Sequence, residues 1–115
     1  EQLTHKGHRF LIAEGPEGPK GFAGFETGLA LGRTRLHKLY VLPEAKGMGW
    51  GRQLLDAVRA EAISVGDQVL ELNVNKYNPA KDFYERQGFR IERDEVIDIG
   101  QGHVMDDHVM VLTLK

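Results

Sequence analysis

The order of strand-like and helix-like segments in this 115-residue chain predicts an α/β (α+β) fold, with a mixed sheet and few helices. Three observations lead to this prediction. Short strand-like segments divided by glycine and proline come first, a helix with one apolar stripe lies in the middle, and two strand-like segments joined at a glycine pair close the chain. Because a chain of this length holds one hydrophobic core, residues 1–115 are expected to form a single domain.

The first strand is predicted at residues 9–13, a short apolar run that ends at a cluster of glycine and proline. That cluster, at residues 15–19, is typical of a hairpin turn. A second strand is predicted at residues 21–31, where repeated glycines indicate bulges or close backbone approach. The third strand is predicted at residues 34–42. Alternation along it places two sets of side chains on opposite faces, namely His37, Leu39 and Val41 on one and Lys38, Tyr40 and Leu42 on the other.

The central helix is predicted from four apolar residues at helical spacing: Leu54, Leu55, Val58 and Ala62. Gly66 is expected to cap its end, and residues 69–74 then alternate as a strand. Asn78 and Pro79 predict the start of a short second helix that ends at Gly88, since asparagine caps helices and proline suits the first turn. Residues 89–115 are predicted to form two strands joined around residues 100–102.

Composition excludes several classes of function. The net charge is −2, so no strong positive field predicts a nucleic-acid or membrane partner. The absence of cysteine excludes disulfides, thiolate metal sites and cysteine nucleophiles. The first residues contain no apolar signal region, and no apolar run approaches the ~20 residues of a membrane-spanning helix. We therefore expect a cytoplasmic protein.

A glycine-rich loop follows the third strand and opens the central helix, with Gly47, Gly49 and Gly51 as its glycines. The start of a helix presents unpaired N–H groups, and glycines allow several of them to converge on one anion, so a phosphate is the natural ligand. Lys46 and Arg52 flank the loop and add positive charge. The dinucleotide pattern fails because position 52 is arginine, and no P-loop string is present. The alternative is a loop whose glycines serve only the turn.

Two segments resemble a known family. Val41-x-Pro43-x-x-Lys46-Gly47-x-Gly49-x-Gly51-x-x-Leu54-Leu55 is similar to the acetyl-CoA signature of the GNAT superfamily of acetyltransferases, and residues 78–89 match its second signature. The resemblance covers residues 9–115. It implies a mostly antiparallel central sheet, a GNAT-like fold that lacks the first strand and helices of a complete member, and acetyl-CoA as the second substrate. It also implies acetyl transfer to a primary amine (a small molecule, a polyamine or a peptide amine) by direct attack in a ternary complex.

The resemblance also assigns roles to residues. Backbone N–H groups of the loop would hold the pyrophosphate, which involves Lys46, Gly47, Met48, Gly49, Trp50, Gly51 and Arg52. Main chain at Leu39 and Val41 would pair with the pantetheine arm, in a gap between this strand and the one ending at residues 73–75. Asn78 would bond the cofactor, and Tyr84 would protonate the departing thiolate of coenzyme A. The chain departs from the usual pattern at Lys46, where glutamine or arginine is common, and at Trp50, where a small aliphatic residue is common.

Other features of the reaction stay open at this point. Glu26, His37 and a water relay to a distant carboxylate are alternative general bases. Acidic residues concentrated near the end of the chain could form one rim that attracts a cationic acceptor such as a polyamine: Asp94, Glu95, Asp98, Asp106 and Asp107. His103 and His108 lack the helical spacing of a metal site, so no metal is expected. A non-catalytic acyl-CoA-binding or regulatory module and a plain protein-interaction domain are the alternative functions, and a homodimer is left open.

Overall fold

The computed structural model describes residues 8–30 and 32–114. Their fold is a six-stranded sheet in the order β1-β2-β3-β4-β6-β5, with two α-helices. In chain order the elements are β1 (His8–Gly15), β2 (Gly18–Leu29), β3 (Arg33–Val41), α1 (Trp50–Ser64), β4 (Val69–Asn75), α2 (Ala80–Arg86), β5 (Arg90–Gly100) and β6 (His103–Thr113), with a 3-10 turn at Pro43–Ala45 between β3 and α1. Among these strands β3 and β4 pair in parallel and the other pairs are antiparallel, which confirms the predicted fold class.

The second strand is shorter at its end than predicted. It stops at Leu29, and position 31 lies outside the described residues. The reason is Gly28, whose φ of 74° places it in the left-handed region and turns the chain out of the extended conformation. The prediction of close backbone approach is confirmed at Gly21, where an added Cβ would fall against the carbonyl oxygen of Tyr40.

One face of the sheet carries α1 and the hydrophobic core. The predicted stripe of α1 is confirmed, because Leu54, Leu55, Val58 and Ala62 are its buried residues. They pack against the alternate apolar residues of β2, β3, β4 and β6, namely Ala23, Phe25, Leu36, Leu70, Leu72, Val74 and Met110. The opposite face of the sheet, here called the open face, has no helix packed on it among the described elements.

A β-bulge in β3 changes which face His37 occupies. Gly24 pairs with Lys38 and the next residue of β2, Phe25, pairs with Leu36, so His37 is the extra residue. Leu36 and Leu39 consequently both face the core although they are three residues apart. The prediction that His37 shares a face with Leu39 and Val41 is therefore wrong, because strict alternation does not hold through a bulge.

The parallel strands β3 and β4 pair over a short stretch and then separate. Their register runs from Arg33 opposite Val69 to Leu36 opposite Leu72, and no pair follows. The closed end is anchored by Asp67, whose Oδ2 accepts hydrogen bonds from the Gly28 N–H at 2.9 Å and the Thr34 hydroxyl at 2.6 Å. The predicted gap between the carboxyl ends of these strands is thus present.

Candidate active site

The glycine loop forms a tight turn that ends at the start of α1. Gly47 and Gly49 have φ values of 84° and 89°, in the left-handed region where a side chain would add strain. Gly49 is the N-cap of α1, and its carbonyl accepts the N–H of Gln53 at 3.1 Å. The two glycines are therefore required by the backbone path itself.

This turn leaves several N–H groups available for an anion. Its internal backbone bonds use the N–H groups of Ala45, Lys46 and Gln53. In the described part of the chain, the N–H groups of residues 47–52 have no such backbone partner outside α1, and the first turn of a helix cannot satisfy its own donors. The positive end of the α1 dipole adds to the same field. A diphosphate is the kind of group that this turn can bind.

A cleft of about 550 Å³ lies between β3, the glycine turn, α1 and α2. The predicted cofactor residues that line it are Leu39, Val41, Lys46, Gly47, Gly49, Trp50, Gly51, Arg52 and Tyr84. Met48 and Asn78 do not line it: the Met48 side chain is exposed, and Asn78 uses its side chain to accept the N–H of Ala80 at 2.9 Å. The N-cap of α2 is Pro79, so the prediction that Asn78 caps this helix is wrong, and Asn78 instead forms a side-chain turn directly before it.

Five cleft residues were not predicted from sequence: Tyr40, Ala45, Ala80, Phe83 and Arg86. Phe83 lies close enough to Gly51 that a Cβ there would be 3.6 Å from the ring, so α1 and α2 approach each other closely at this point. Arg86 adds a third cation to Lys46 and Arg52 around the cleft. Arg86 could have been predicted from the sequence, because it lies three residues after Phe83 and therefore on the same side of the short helix that borders the loop.

Tyr84 combines an apolar environment with a hydroxyl that is free to act. Its ring packs edge-on against Phe83 and Phe89, with centroids 5.2 Å and 5.6 Å apart. Burial raises the pKa of Tyr84 above its ordinary value of 10.0. The described residues offer its hydroxyl no hydrogen bond, and the side chain lines the cleft. The group therefore holds its proton at neutral pH and can give it to a stronger base.

The bulky Trp50 lies at the rim of the cleft, against the β1–β2 hairpin. A Cβ added to Gly15 would be 3.2 Å from Cζ2 of the indole, so the ring packs over this glycine. The absence of a side chain at Gly15 is what accommodates the ring. Trp50 thereby joins the start of α1 to the hairpin.

His37 and Glu26, predicted as alternative bases, are neighbours on the open face. Their Nε2 and Oε1 atoms are 3.2 Å apart, and the His37 ring stacks on His8 with centroids 5.5 Å apart. Neither residue lines the cleft itself. His37 directly follows Leu36, where β3 and β4 begin to separate, and Glu26 pairs with Arg35, the residue before Leu36.

A charged network covers the open face of β3, β4, β5 and β6. Glu71 accepts hydrogen bonds from Arg33 at 2.9 Å and from Arg35 at 2.7 Å. Arg35 also donates to Asn73, and Asn73 donates to two carboxylates, those of Glu95 and Asp107. Three further ion pairs close the ring: Arg33 pairs with Glu92, and Arg93 pairs with both Glu92 and Glu95. We call this set of eight residues the open-face network.

The arginine side chains of the network lower the pKa of two of its carboxylates. Burial alone would raise the pKa of Glu71, but the hydrogen bonds from Arg33 and Arg35 outweigh it and the net pKa is lowered. The hydrogen bond from Arg33 lowers the pKa of Glu92. Both carboxylates are therefore held in their ionised form by guanidinium groups.

The sequence profile of a family described as an acetyltransferase (GNAT) domain matches residues 6–91 of this chain. The chain belongs to the GNAT acetyltransferase family. A curated relative, the 5-NmdU N-acetyltransferase of Pseudomonas phage PaMx11, is 35% identical over 81 residues, which cover 70% of this chain and 56% of that protein. The chain thus spans little more than half the length of this relative.

Solved structures agree with the GNAT assignment. The crystal structure of nourseothricin acetyltransferase has a TM-score of 0.85 and 25% identity, covering 95% of this chain and 66% of that one. The ribosomal-protein-S18-alanine N-acetyltransferase from Escherichia coli has a TM-score of 0.79 and 22% identity, covering 97% of this chain and 72% of that one. At such identity the second likeness concerns the fold alone.

The acidic residues near the end of this GNAT domain do not form a single rim as predicted. Asp94 and Asp106 lie on the helix-bearing side of the β5–β6 pair, where both contact Lys76 and Asp94 also contacts His108 at 2.7 Å. Asp98 accepts the N–H of Gly100 in the terminal hairpin. The alternation of strand residues separates them from Glu95 and Asp107, which point to the open face.

Within residues 8–30 and 32–114, no group of three or more histidine, aspartate or glutamate side chains is arranged to hold a metal ion. No helix in this part of the GNAT domain has the length and apolar character needed to cross a membrane.

Proposed function

We propose that this domain transfers an acetyl group from acetyl-CoA to a primary amine. The observation that carries the proposal is the left-handed glycine turn, which lines a cleft together with Lys46, Arg52 and Arg86 and whose N–H groups have no backbone partner outside α1 among the described residues. These residues suit the phosphates of coenzyme A, because backbone donors, the helix dipole and side-chain cations all favour anions. Membership of the GNAT family supports the same cosubstrate.

The pantetheine arm fits the gap between the strands. Beyond Leu36 the edge of β3 that faces β4 is unpaired, while its other edge is bonded to β2. Leu39 and Val41 can therefore offer N–H and C=O groups to an extended amide chain, in the way that a sheet accepts an added strand. Acetyl-CoA supplies the reactive thioester, and the chain's own residues would position it at the point where β3 and β4 separate.

We assign Tyr84 the role of proton donor to the leaving sulfur. Its proton is retained at neutral pH, its hydroxyl is unpaired among the described residues, and it borders the cleft. In the reaction, the amine nitrogen bonds to the carbonyl carbon, the C–S bond breaks and the amine loses a proton. The pair of Glu26 and His37 is our candidate for accepting that proton. Most of the rate enhancement would come from alignment of the two substrates, which can account for ~7–11 kcal/mol of the barrier.

Release of free thiol from acetyl-CoA in the presence of a panel of primary amines tests the proposal. Turnover with at least one amine supports it. Tight acetyl-CoA binding without turnover on any amine would indicate an acyl-CoA-binding module instead, and lack of binding would refute both. We further propose a cytoplasmic location, and sedimentation analysis distinguishes a monomer from a homodimer.

A further inference from the structure

Asp107 is the carboxylate of the open-face network that lacks a cation. Each of the other three carboxylates, Glu71, Glu92 and Glu95, has at least one arginine partner. The only partner described for Asp107 is the neutral amide of Asn73, which donates to Oδ2 at 3.3 Å. Four carboxylates thus face three guanidinium groups, and the uncompensated charge is at Asp107.

Burial makes this missing partner significant. Asp107 is 3% exposed, and its Oδ1 is buried with no hydrogen-bond partner among the described residues. A buried carboxylate is costly unless a cation and hydrogen bonds compensate it. The Oδ1 atom of Asp107 can therefore accept a hydrogen bond from a cationic donor.

The position of Asp107 relates this carboxylate to the acceptor. Asn73, which bonds Asp107, follows directly after Leu72, the last residue of β4 that pairs with β3. Asp107 therefore lies next to the point where the strands separate, on the face that also holds Glu26 and His37. Glu95 is the neighbouring carboxylate on the more exposed side of Asp107. It accepts a hydrogen bond from the same Asn73 amide and forms an exposed ion pair with Arg93. Exposed ion pairs contribute little, so the Glu95 side chain can yield to an entering group.

We propose that Asp107 and Glu95 bind an ammonium group of the acceptor, and that the acceptor is a diamine or polyamine. A carboxylate stabilises the protonated form of an amine, whereas the nitrogen that attacks a thioester must be neutral. The nitrogen bound at Asp107 is therefore not the one that is acetylated, and the substrate carries a second amine that reaches the thioester. This inference rests on the proposed function for its reaction, but the ammonium site can be tested without turnover.

The binding test uses the protein saturated with coenzyme A and titrated with 1,3-diaminopropane, with 1-aminopropane and 1,3-propanediol as comparison ligands. The side-chain amide of Asn73 reports on the site in ¹H–¹⁵N NMR, because it donates to both carboxylates. We expect 1,3-diaminopropane to shift this resonance and to bind about tenfold or more tightly than 1-aminopropane, with no shift from the diol. Equal responses to all three compounds, or no response, would overturn the proposal.

Asp107→Asn provides the matching variant, with Asp98→Asn in the exposed hairpin as its control. The variant should lose the preference for the diamine, in both NMR affinity and kcat/KM, while coenzyme A affinity stays the same. Its melting temperature without amine should be equal to or above that of the wild type, because an unpaired buried charge is removed. A clear fall in melting temperature with diamine preference retained would instead assign Asp107 a structural role.

The two proposals fail in different ways. Diamine binding at Asn73 without turnover on any amine would refute the acetyltransferase proposal and keep the ammonium site. Turnover with equal kcat/KM for monoamine and diamine, unaltered by Asp107→Asn, would refute the ammonium site and keep the acetyltransferase proposal. Should Asp107→Asn not fold, Glu95→Gln replaces it, with the same loss of diamine preference expected.

Discussion

Replacing Tyr84 by phenylalanine removes one hydroxyl from the candidate site and leaves the packing intact. The ring contacts with Phe83 and Phe89 do not involve the oxygen, and no described residue loses a hydrogen bond. The free energy of unfolding should therefore change by no more than about 0.5 kcal/mol. Loss of a general acid slows turnover by ~10²–10⁴, which corresponds to about 2.7–5.4 kcal/mol of activation free energy.

The pH dependence adds a second signature. Because burial raises the pKa of Tyr84 above 10.0, the residue stays protonated through neutral and mildly alkaline pH. Deprotonation of Tyr84 should thus reduce wild-type turnover only above pH 10. The Tyr84→Phe variant should lack this alkaline decline.

The assay is steady-state release of free thiol, at saturating acetyl-CoA, together with calorimetry of coenzyme A binding. Tyr77→Phe is the matched control, since Tyr77 is 88% exposed and does not line the cleft. We expect a loss in kcat for Tyr84→Phe with unchanged coenzyme A affinity, and wild-type kinetics for Tyr77→Phe. Turnover of Tyr84→Phe within threefold of the wild type would refute the proton-donor role and leave Tyr84 as a packing residue.

Three further predictions concern the glycine turn and the two buried carboxylates that hold β3 in place. Gly49→Asp should weaken coenzyme A binding at least ~100-fold in calorimetry, because it directs a carboxylate at the diphosphate. The control Gly102→Asp, also at a left-handed glycine but in the β5–β6 hairpin, should bind coenzyme A normally. Equal coenzyme A affinities of the two variants would remove the turn from the site. Asp67→Ala should destabilise the fold by about 2–4 kcal/mol in urea unfolding, since the buried Thr34 hydroxyl and the Gly28 N–H both lose their acceptor. Asp98→Ala should cost at most ~1 kcal/mol, and similar values for the two variants would show that Asp67 is not an anchor. The lowered pKa of Glu71 means that its ion pairs stabilise the fold above the unfolded pKa near 4.5 and that this stabilisation is lost as pH falls through the lower folded pKa. The urea midpoint should fall less steeply between roughly pH 5 and pH 3 in Glu71→Gln than in the wild type, and identical slopes would contradict the coupling.

Local patterns were reliable where one element determines its own structure. The stripe of α1 was predicted because Leu54, Leu55, Val58 and Ala62 have helical spacing whatever they pack against. The side-chain turn of Asn78 before α2 and the turn at residues 100–102 depend on side-chain or backbone preferences within a few residues. The end of β2 was misplaced because the pattern continues past Gly28, whereas the backbone turns there to meet Asp67.

The candidate site was predicted in part. The residues of the glycine turn could be named because glycine spacing before a helix indicates an anion site on its own. Arg86 and Tyr40 were missed, since their place in the cleft depends on how α2 and β3 border it. The single acidic rim was also a wrong prediction, because sequence proximity does not reveal that neighbouring strand residues face opposite sides of the sheet.

The sequence alone determined the fold class, the order of elements and the glycine turn, because each of these depends on spacing and conformational preference over a few residues. Only the tertiary structure decided that His37 leaves the face of Leu39 and meets Glu26, and that Asp107 is buried beside Asn73 without a cation. Those contacts join residues 11 and 34 positions apart in the sequence, on different strands. A bulge or a strand pairing sets them, and no local pattern of residues encodes such a distance.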